Sequence, residues 1–202
     1  MLKLKAVAIT GGLSCGKSSV CYFLEKLGAY VVSSDTIVHQ LLSADTSLAQ
    51  EVIKLLGKKI VVDQKINRSL VAQTVFENPK QLKQLEKLLH PAVYREIDGQ
   101  YKLQKKKELQ TKLFVAEIPL LFESEYQSFF ETIVVVVADE KLAMKRFKQK
   151  TGLSVDHYYK RTARQIPIQE KMKRADEIIH NNEDLSHLKA KTFTLYHKLM
   201  AS

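Results

Sequence analysis

The sequence predicts an α/β protein with a parallel five-stranded sheet, helices on both faces, an inserted helical subdomain and a basic segment toward its C-terminal end. Three observations predict this fold. Short apolar runs alternate with helical patterns, two of the runs lack polar alternation, and a glycine-rich turn joins the first strand to the first helix. Strands without alternation are typical of parallel sheets, whose faces are both covered.

The strands are predicted at Leu4–Thr10, Tyr30–Ser33, Leu113–Glu117, Thr132–Ala138 and Glu177–His180. The first helix is expected to open at Lys17, to stop before Gly28 and to bury one face, made of Val20, Cys21, Leu24 and Leu27. A last helix is expected to pack on the sheet through Leu185, Leu188, Leu195 and Leu199.

Residues 1–202 are predicted to form one domain with two added segments. The interval 45–112 is too long for a structureless loop and has helical spacing at Leu82, Leu85, Leu88 and Leu89, so we expect a helical insertion there. It ends in the polar stretch Gln104–Glu108, and His90-Pro91 is expected to close one helix and open another. The core then comprises about 1–44, 113–140 and 175–202, and the basic segment about 141–174.

A phosphate-binding loop follows the first strand. Gly11 to Ser18 fit the pattern G-x-x-x-x-G-K-[ST] between a strand and a helix, the context this loop requires. Such a loop turns tightly and brings backbone N–H groups to an anion, which glycine permits. We therefore expect nucleotide phosphates to be bound by Gly11, Gly12, Leu13, Ser14, Cys15, Gly16, Lys17, Ser18 and Ser19, with Lys17 supplying charge and Ser18 a magnesium ligand. The alternative is an accidental glycine-rich turn.

Two acids stand at the carboxyl ends of predicted strands, the edge where ligands bind in open α/β sheets. Asp35 follows the second strand and can accept a proton from an attacking hydroxyl, or it can cap a helix beginning at Thr36. Glu117 ends the third strand and either supports magnesium or substrate or is merely structural.

The net charge of +10 is concentrated in the basic segment, where eleven Lys and Arg residues face only Asp156 and Glu170. Arginine binds phosphate in a bidentate fashion, so Arg146, Arg161 and Arg164 are candidates for a phosphate clamp. The break at Thr151–Leu153 and Pro167 are typical of a movable lid. The alternatives are a solvated helix face or a nucleic-acid surface.

Other classes are disfavoured by composition. No apolar run reaches the roughly 20 residues that cross a bilayer, and the N-terminus lacks a signal-peptide pattern, so we expect a cytosolic protein that binds no membrane. Cys15 and Cys21 cannot form a disulfide framework or a zinc site, and we expect reduced thiols. Cys15 is either a reactive thiolate or an inert packed thiol. His90 is either functional or a cap or packing residue.

The chain resembles the dephospho-coenzyme A kinase family nearly end to end. The matching stretches are Ile9–Gly12 with the loop through Ser19, Gly28–Asp35, Ile66–Leu70 with Val75-Phe76, His90-Pro91, Glu117–Glu123, Arg161 with Gln165, and Ala175–Asn181. The resemblance implies a P-loop kinase-like fold with a lid. It also implies transfer of the γ-phosphoryl group of ATP, with Mg²⁺, to the ribose 3′-hydroxyl of dephospho-coenzyme A.

By the same resemblance, Asp35 matches the catalytic aspartate, and Arg146 and Arg161 match basic positions near the phosphates. Arg68, His90 and Pro91 match positions on the acceptor side. Three departures from the family pattern are Ser33 in place of an aspartate, Ser14-Cys15 in place of Gly-Ser, and Lys150 in place of a lid arginine. None removes Lys17, Ser18 or Asp35, so we expect an active enzyme.

Three rival functions remain open: another small-molecule kinase of this fold, a GTPase-like switch, and an ATP-hydrolysing nucleic-acid binder. The switch would need a guanine-reading Asn-Lys-x-Asp, and Asn181–Asp184 lacks the lysine. A nucleic-acid binder would show an affinity for nucleic acid that falls steeply with salt concentration. We expect ATP and dephospho-coenzyme A as partners and no nucleic acid. The sequence leaves the oligomeric state open.

Overall fold

A five-stranded parallel sheet is the centre of the larger of two units in the computed structural model, which describes residues 4–43, 46–76, 78–107 and 111–201. In chain order the elements are β1 (Lys5–Gly11), α1 (Lys17–Lys26), β2 (Tyr30–Ser33), α2 (Ser34–Ser43), α3 (Ser47–Leu56), β3 (Val61–Val62), β4 (Lys65–Ile66), α4 (Arg68–Phe76), α5 (Pro79–Lys106), β5 (Leu113–Glu117), β6 (Thr132–Val137), α6 (Glu140–Thr151), α7 (Val155–Thr162), α8 (Ile168–Lys173), β7 (Glu177–His180) and α9 (Leu185–Ala201).

The larger unit comprises the described residues of Met1–Ser33 and Tyr101–Ser202, and the smaller one spans Ser34–Gln100. The predicted boundary at residues 44 and 45, and Glu108 of the polar stretch, lie outside the described residues. Among the helices that the structure describes, none combines the length and the apolar character needed to span a membrane.

The sheet has the strand order β2-β5-β1-β6-β7, and each neighbouring pair is parallel. Every residue of β6 is buried, as are the first four residues of β5. The predicted α/β fold with a parallel five-stranded sheet is therefore confirmed. The bounds predicted for β2, β5 and β7 match those observed, whereas β1 is displaced by one residue and β6 ends at Val137.

Helices α1 and α9 pack with the sheet in one apolar core. Helix α1 contributes Val20, Cys21 and Leu24 to this core, as its spacing predicts. Leu27 follows the helix end at Lys26 and is only partly buried, so the prediction was wrong for that residue. Helix α9 contributes Leu188, Leu195 and Leu199, but Leu185 is 61% exposed, so the prediction was wrong for that residue. Burying one such leucine side chain contributes about 1.5–3 kcal/mol, and this packing holds the start of α1 behind the phosphate-binding loop.

The smaller unit has its own core, to which α2, α3, α4 and α5 contribute Leu42, Val52, Leu56, Val71, Val75 and Leu85. It also contains a hairpin, β3 with β4, which the sequence analysis missed. The two turn residues, Asp63 and Gln64, both have positive φ. That conformation favours Asn-Gly or Asp-Gly, so the Asp-Gln pair gave little sequence signal for a hairpin.

Helix α5 continues through Pro91, so the expected break at His90-Pro91 was wrong. A proline within a helix removes one hydrogen bond and costs about 3 kcal/mol. Buried side chains on both sides of it, Leu85 before and Val93 and Ile97 after, favour one continuous helix. Packing therefore overrides the local preference for a break.

Candidate active site

The phosphate-binding loop runs from the end of β1 to the start of α1 and has the backbone its sequence requires. Gly11 has φ +142°, and a Cβ there would lie 2.0 Å from the Val136 carbonyl oxygen. Gly16 has φ +101°, and a Cβ there would lie 2.2 Å from Asn181 Nδ2. Only glycine fits either position, because both the backbone angle and the neighbouring atoms exclude a side chain.

The remaining loop residues take different environments. Ser14, which replaces a glycine of the family pattern, has φ +54°, a left-handed conformation that costs a non-glycine residue roughly 1–2 kcal/mol. Leu13 packs against the apolar cluster of α6 and α7, and Gly12 faces Ile168 of α8. The Ser19 amide donates to the Gly16 carbonyl, which closes the first turn of α1.

Lys17 begins α1, and its side chain folds back along the loop. Its ammonium donates to the Gly12 carbonyl at 2.8 Å and to the Gly11 carbonyl at 3.4 Å, and the residue is 9% exposed. The positive charge is thus held at the loop backbone itself, beside the positive end of the helix. This is the arrangement that an anion entering the loop would meet.

Ser18 and Glu117 meet at the carboxyl edge of the sheet. The Ser18 hydroxyl donates to Glu117 Oε1 at 2.8 Å, and Glu117 pairs with Ile9 in the register of β1 and β5. Hydroxyl and carboxylate oxygens are ligands suited to Mg²⁺, which usually takes few protein ligands and completes its shell with phosphates and water. These two residues therefore fit a magnesium ion. The described residues contain no cluster of three or more His, Cys, Asp or Glu side chains that could hold a metal.

Cys15 lies within the loop but faces the core, and it is 1% exposed. Burial raises the pKa of the Cys15 thiol, and the nearby charge of Lys17 opposes this shift without cancelling it. Burial raises the pKa of Cys21 still further. Of the two alternatives for Cys15, the geometry favours the packed, neutral thiol.

Asn181 joins the loop to Arg146, and the sequence analysis did not assign a role to this asparagine. Its side-chain amide donates to the Cys15 carbonyl at 2.8 Å, next to Gly16. Arg146 on α6 donates to the Asn181 carbonyl at 2.9 Å and to the Glu183 carbonyl at 3.3 Å. The guanidinium is therefore connected to the loop backbone through Asn181 and not directly. The only sequence signal was membership of Asn181 in the stretch Ala175–Asn181 that matches the family.

Lys171 is a buried cation, although in the sequence it is only one of many basic residues. It is 1% exposed and forms an ion pair with Glu123 at 2.9 Å. Burial lowers the pKa of Lys171, and the hydrogen bond with Glu123 opposes this. Apart from Lys171 and the half-buried Arg146, the lysines and arginines of the basic segment are exposed, as expected for a solvated face.

Arg161, on α7, is exposed and stacks over the Phe147 ring of α6, with its guanidinium carbon 5.6 Å from the ring centroid. Helix α6 ends at Thr151, and Gly152 follows it in a left-handed conformation, which produces the expected break before α7. The structure thus brings the loop, Glu117, Arg146 and Arg161 into one unit.

The acceptor-side candidates lie in the smaller unit. Asp35 is in the first turn of α2, which begins at Ser34, so it is not the cap of a helix beginning at Thr36. It is exposed, and within its own unit its carboxylate accepts no hydrogen bond from the described residues. Arg68 begins α4 and is exposed, as is Pro91. His90 is partly buried beside Tyr94, and burial lowers its pKa.

A glycine-rich loop ending in Gly-Lys-Ser after the central strand of this sheet defines a P-loop kinase fold. The solved shikimate kinase from Acinetobacter baumannii shares it, with a TM-score of 0.55 and 15% identity over 99% of this chain and 95% of that chain. At that identity the likeness shows the fold alone.

The family model of dephospho-CoA kinase matches residues 5–187. The chain is 52% identical to the dephospho-CoA kinase of Protochlamydia amoebophila over 98% of both chains. The chain therefore belongs to the dephospho-CoA kinase family and is a kinase, a transferase that uses ATP. The solved dephospho-CoA kinase from Campylobacter jejuni matches it with a TM-score of 0.70 and 28% identity over 96% of both chains.

Proposed function

We propose that this protein transfers the γ-phosphoryl group of ATP to the ribose 3′-hydroxyl of dephospho-CoA, giving CoA and ADP. Family membership supports the substrate pair. The observation that carries the proposal is the hydrogen bond from the Ser18 hydroxyl to Glu117 at the phosphate-binding loop. This hydrogen bond orients the hydroxyl as a ligand for Mg²⁺ beside the donor phosphates.

The donor half of the reaction is assigned to the loop. Backbone amides of Gly11–Ser19 bind the β- and γ-phosphates, and the Lys17 ammonium exchanges its carbonyl partners for phosphate oxygens. Ser18, oriented by Glu117, holds Mg²⁺. When bound, this ion neutralises charge that develops on the phosphates.

The acceptor half is assigned to the smaller unit. The ribose 3′-oxygen attacks the γ-phosphorus, the bond to the β,γ-bridging oxygen breaks, and the hydroxyl proton passes to Asp35. The Asp35 carboxylate is exposed and accepts no hydrogen bond from the described part of its unit, which supports this role. Arg68, His90 and Pro91 bind the acceptor, and the helical insertion (residues 45–112) provides its surface.

The basic segment (residues 141–174) is assigned as the lid. Arg161 lies on the short helix α7, between the breaks at Gly152 and Pro167, and supplies the bidentate donor for the transferring phosphate. Arg146 is assigned to hold the loop in place through Asn181. We also propose small-molecule partners only and a cytosolic location, which the two free, buried thiols support.

An acceptor panel tests the proposal. ADP formation is measured with Mg-ATP and dephospho-CoA, shikimate, a nucleoside or no acceptor. We expect rapid ADP formation with dephospho-CoA alone. Equal or faster turnover with another acceptor would contradict the proposed substrate, and ADP formation that ignores every acceptor would contradict a kinase role for the site.

A further inference from the structure

Lys171 on α8 forms hydrogen bonds or ion pairs with three residues, which come from two separate segments of the chain. Its ammonium contacts Glu123 Oε1 at 2.9 Å, donates to the Pro119 carbonyl at 3.0 Å and donates to Gln165 Oε1 at 3.3 Å. Pro119 and Glu123 belong to the segment after β5, whereas Gln165 lies between α7 and α8. One buried cation therefore joins the end of the lid to the sheet edge.

Glu123 completes this connection from the opposite side. Its Oε1 also accepts a hydrogen bond from the Ile166 amide at 3.0 Å, so one oxygen holds both the lid backbone and Lys171. Its Oε2 is buried and has no hydrogen-bond partner among the residues that the structure describes. We call the contacts among Glu123, Gln165, Ile166 and Lys171 the lid tether.

The same Pro119 carbonyl accepts a hydrogen bond from the Thr10 hydroxyl at 3.3 Å. Thr10 directly precedes Gly11, the first residue of the phosphate-binding loop. Helix α8 also lies beside that loop, because Ile168 Cδ1 is 3.9 Å from the point that a Cβ on Gly12 would occupy. The lid tether is thus anchored at the strand that presents the loop.

We propose that Lys171 is a positioning residue for phosphoryl transfer, and that the lid tether sets the place of Arg161 relative to the phosphate-binding loop. Arg161 lies four residues before Gln165, so fixing Gln165 and Ile166 fixes the end of the helix that carries it. A buried ion pair is a poor source of net stability, which favours a geometric role for this one. The inference rests on the proposed function.

The test uses variants of the full chain. Lys171→Met alone leaves the largely buried Glu123 carboxylate without its cationic partner, so the informative variant is Glu123→Leu/Lys171→Met, which removes both charges. We expect this variant to fold and kcat to fall by about 10- to 100-fold, with KM for ATP changing much less. Lys173→Met is the matched control, because Lys173 pairs with Glu170 on the same helix but is exposed.

A kinetic cycle separates positioning from simple destabilisation. Arg161→Ala is combined with the Glu123→Leu/Lys171→Met variant, and kcat is compared for all four proteins. We expect the effects of the two changes on kcat to be non-additive. Once Arg161 is displaced by loss of the lid tether, replacing it with alanine should lower kcat little further. The proposal would be overturned by additive effects on kcat. It would also be overturned if the Glu123→Leu/Lys171→Met variant, called the charge-free variant below, kept parental turnover or failed to fold.

Hydrogen exchange keeps this test distinct from the proposed function. The Ile166 amide should be protected in the parent and exposed in the charge-free variant, whereas the Ala163 amide, bonded to Tyr159 within the lid, should be unchanged. If the exchange pattern is observed but the parent protein does not phosphorylate dephospho-CoA, the proposed function is contradicted and the lid tether remains supported. Unchanged Ile166 exchange in an active enzyme would overturn the tether alone.

Discussion

Lys17 carries the charge that the loop offers to an anion, and its ammonium is held by the Gly11 and Gly12 carbonyls. Replacing Lys17 with alanine should lower kcat/KM by roughly 10²- to 10³-fold, the usual cost of removing a charge-stabilising donor. The thermal midpoint should change little. Lys26→Ala is the control, since Lys26 is exposed on the same helix over the Tyr22 ring. A folded Lys17→Ala protein with near-parental turnover would contradict a phosphoryl-transfer site.

Asp35 separates a proton-accepting role from a structural one. Asp35→Asn keeps the shape of the side chain but removes the base, so kcat should fall by roughly 10²- to 10⁴-fold. Asp35 lies in the first turn of α2, where losing the charge costs about 0.3–1 kcal/mol of stability. Steady-state rates and melting curves give both values, with Glu51→Gln, an exposed acid on α3, as the control. A large fall in midpoint with turnover retained would assign Asp35 to the fold.

Cys15 is expected to react slowly despite its place in the loop. Burial raises the pKa of its thiol, so less thiolate forms near pH 8 than in an exposed cysteine, and access is restricted as well. Iodoacetamide should therefore modify Cys15 and Cys21 in the native protein far more slowly than in guanidinium. Mass spectrometry of digests measures each site. Rapid inactivation that ATP prevents, and that Cys15→Ser abolishes, would show a reactive thiolate instead.

At the scale of elements, Arg146 and Asn181 connect α6 and the end of β7 to the phosphate-binding loop. Asn181→Ala should raise KM for ATP by roughly 2- to 12-fold, corresponding to a hydrogen bond of about 0.5–1.5 kcal/mol. Arg146→Ala should have a similar effect, and the double variant should be little worse than either, because Arg146 holds Asn181 and, of the two, Asn181 alone donates to the Cys15 carbonyl. A much larger loss of kcat in Arg146→Ala than in Asn181→Ala would place its guanidinium on the transferring phosphate.

Sequence patterns predicted elements well where burial and backbone requirements coincide. Apolar runs such as Ile133–Val137 predicted the strands, and Gly11 and Gly16 predicted a turn that only glycine can form. Local rules failed where packing or unusual residues decided the outcome. Helix α5 tolerates Pro91 because buried residues flank it. The hairpin turn places Gln64, a residue that seldom takes positive φ, where glycine is usual.

At the scale of the whole molecule, the sequence indicated which residues carry chemistry but not how they are paired. Ser18 and Glu117 are 99 residues apart, and they meet because β5 pairs with β1 and α1 follows the loop after β1. Lys171 is one of eleven basic residues in its segment, and nothing local distinguishes the one that becomes buried against Glu123. Asn181 likewise acquires its role from the neighbouring loop. Contacts between distant segments are what a single sequence does not reveal.

The destination of the transferred phosphate tests the central claim most directly. The protein is incubated with Mg-ATP labelled in the γ-phosphate and with dephospho-CoA, and the labelled products are separated and treated with a phosphatase specific for the 3′-position. We predict one labelled product that co-migrates with CoA, forms in equal amount to ADP and loses its label to this phosphatase. Two results would contradict the account: label recovered only as inorganic phosphate, or a labelled product from which the 3′-specific phosphatase does not remove the label.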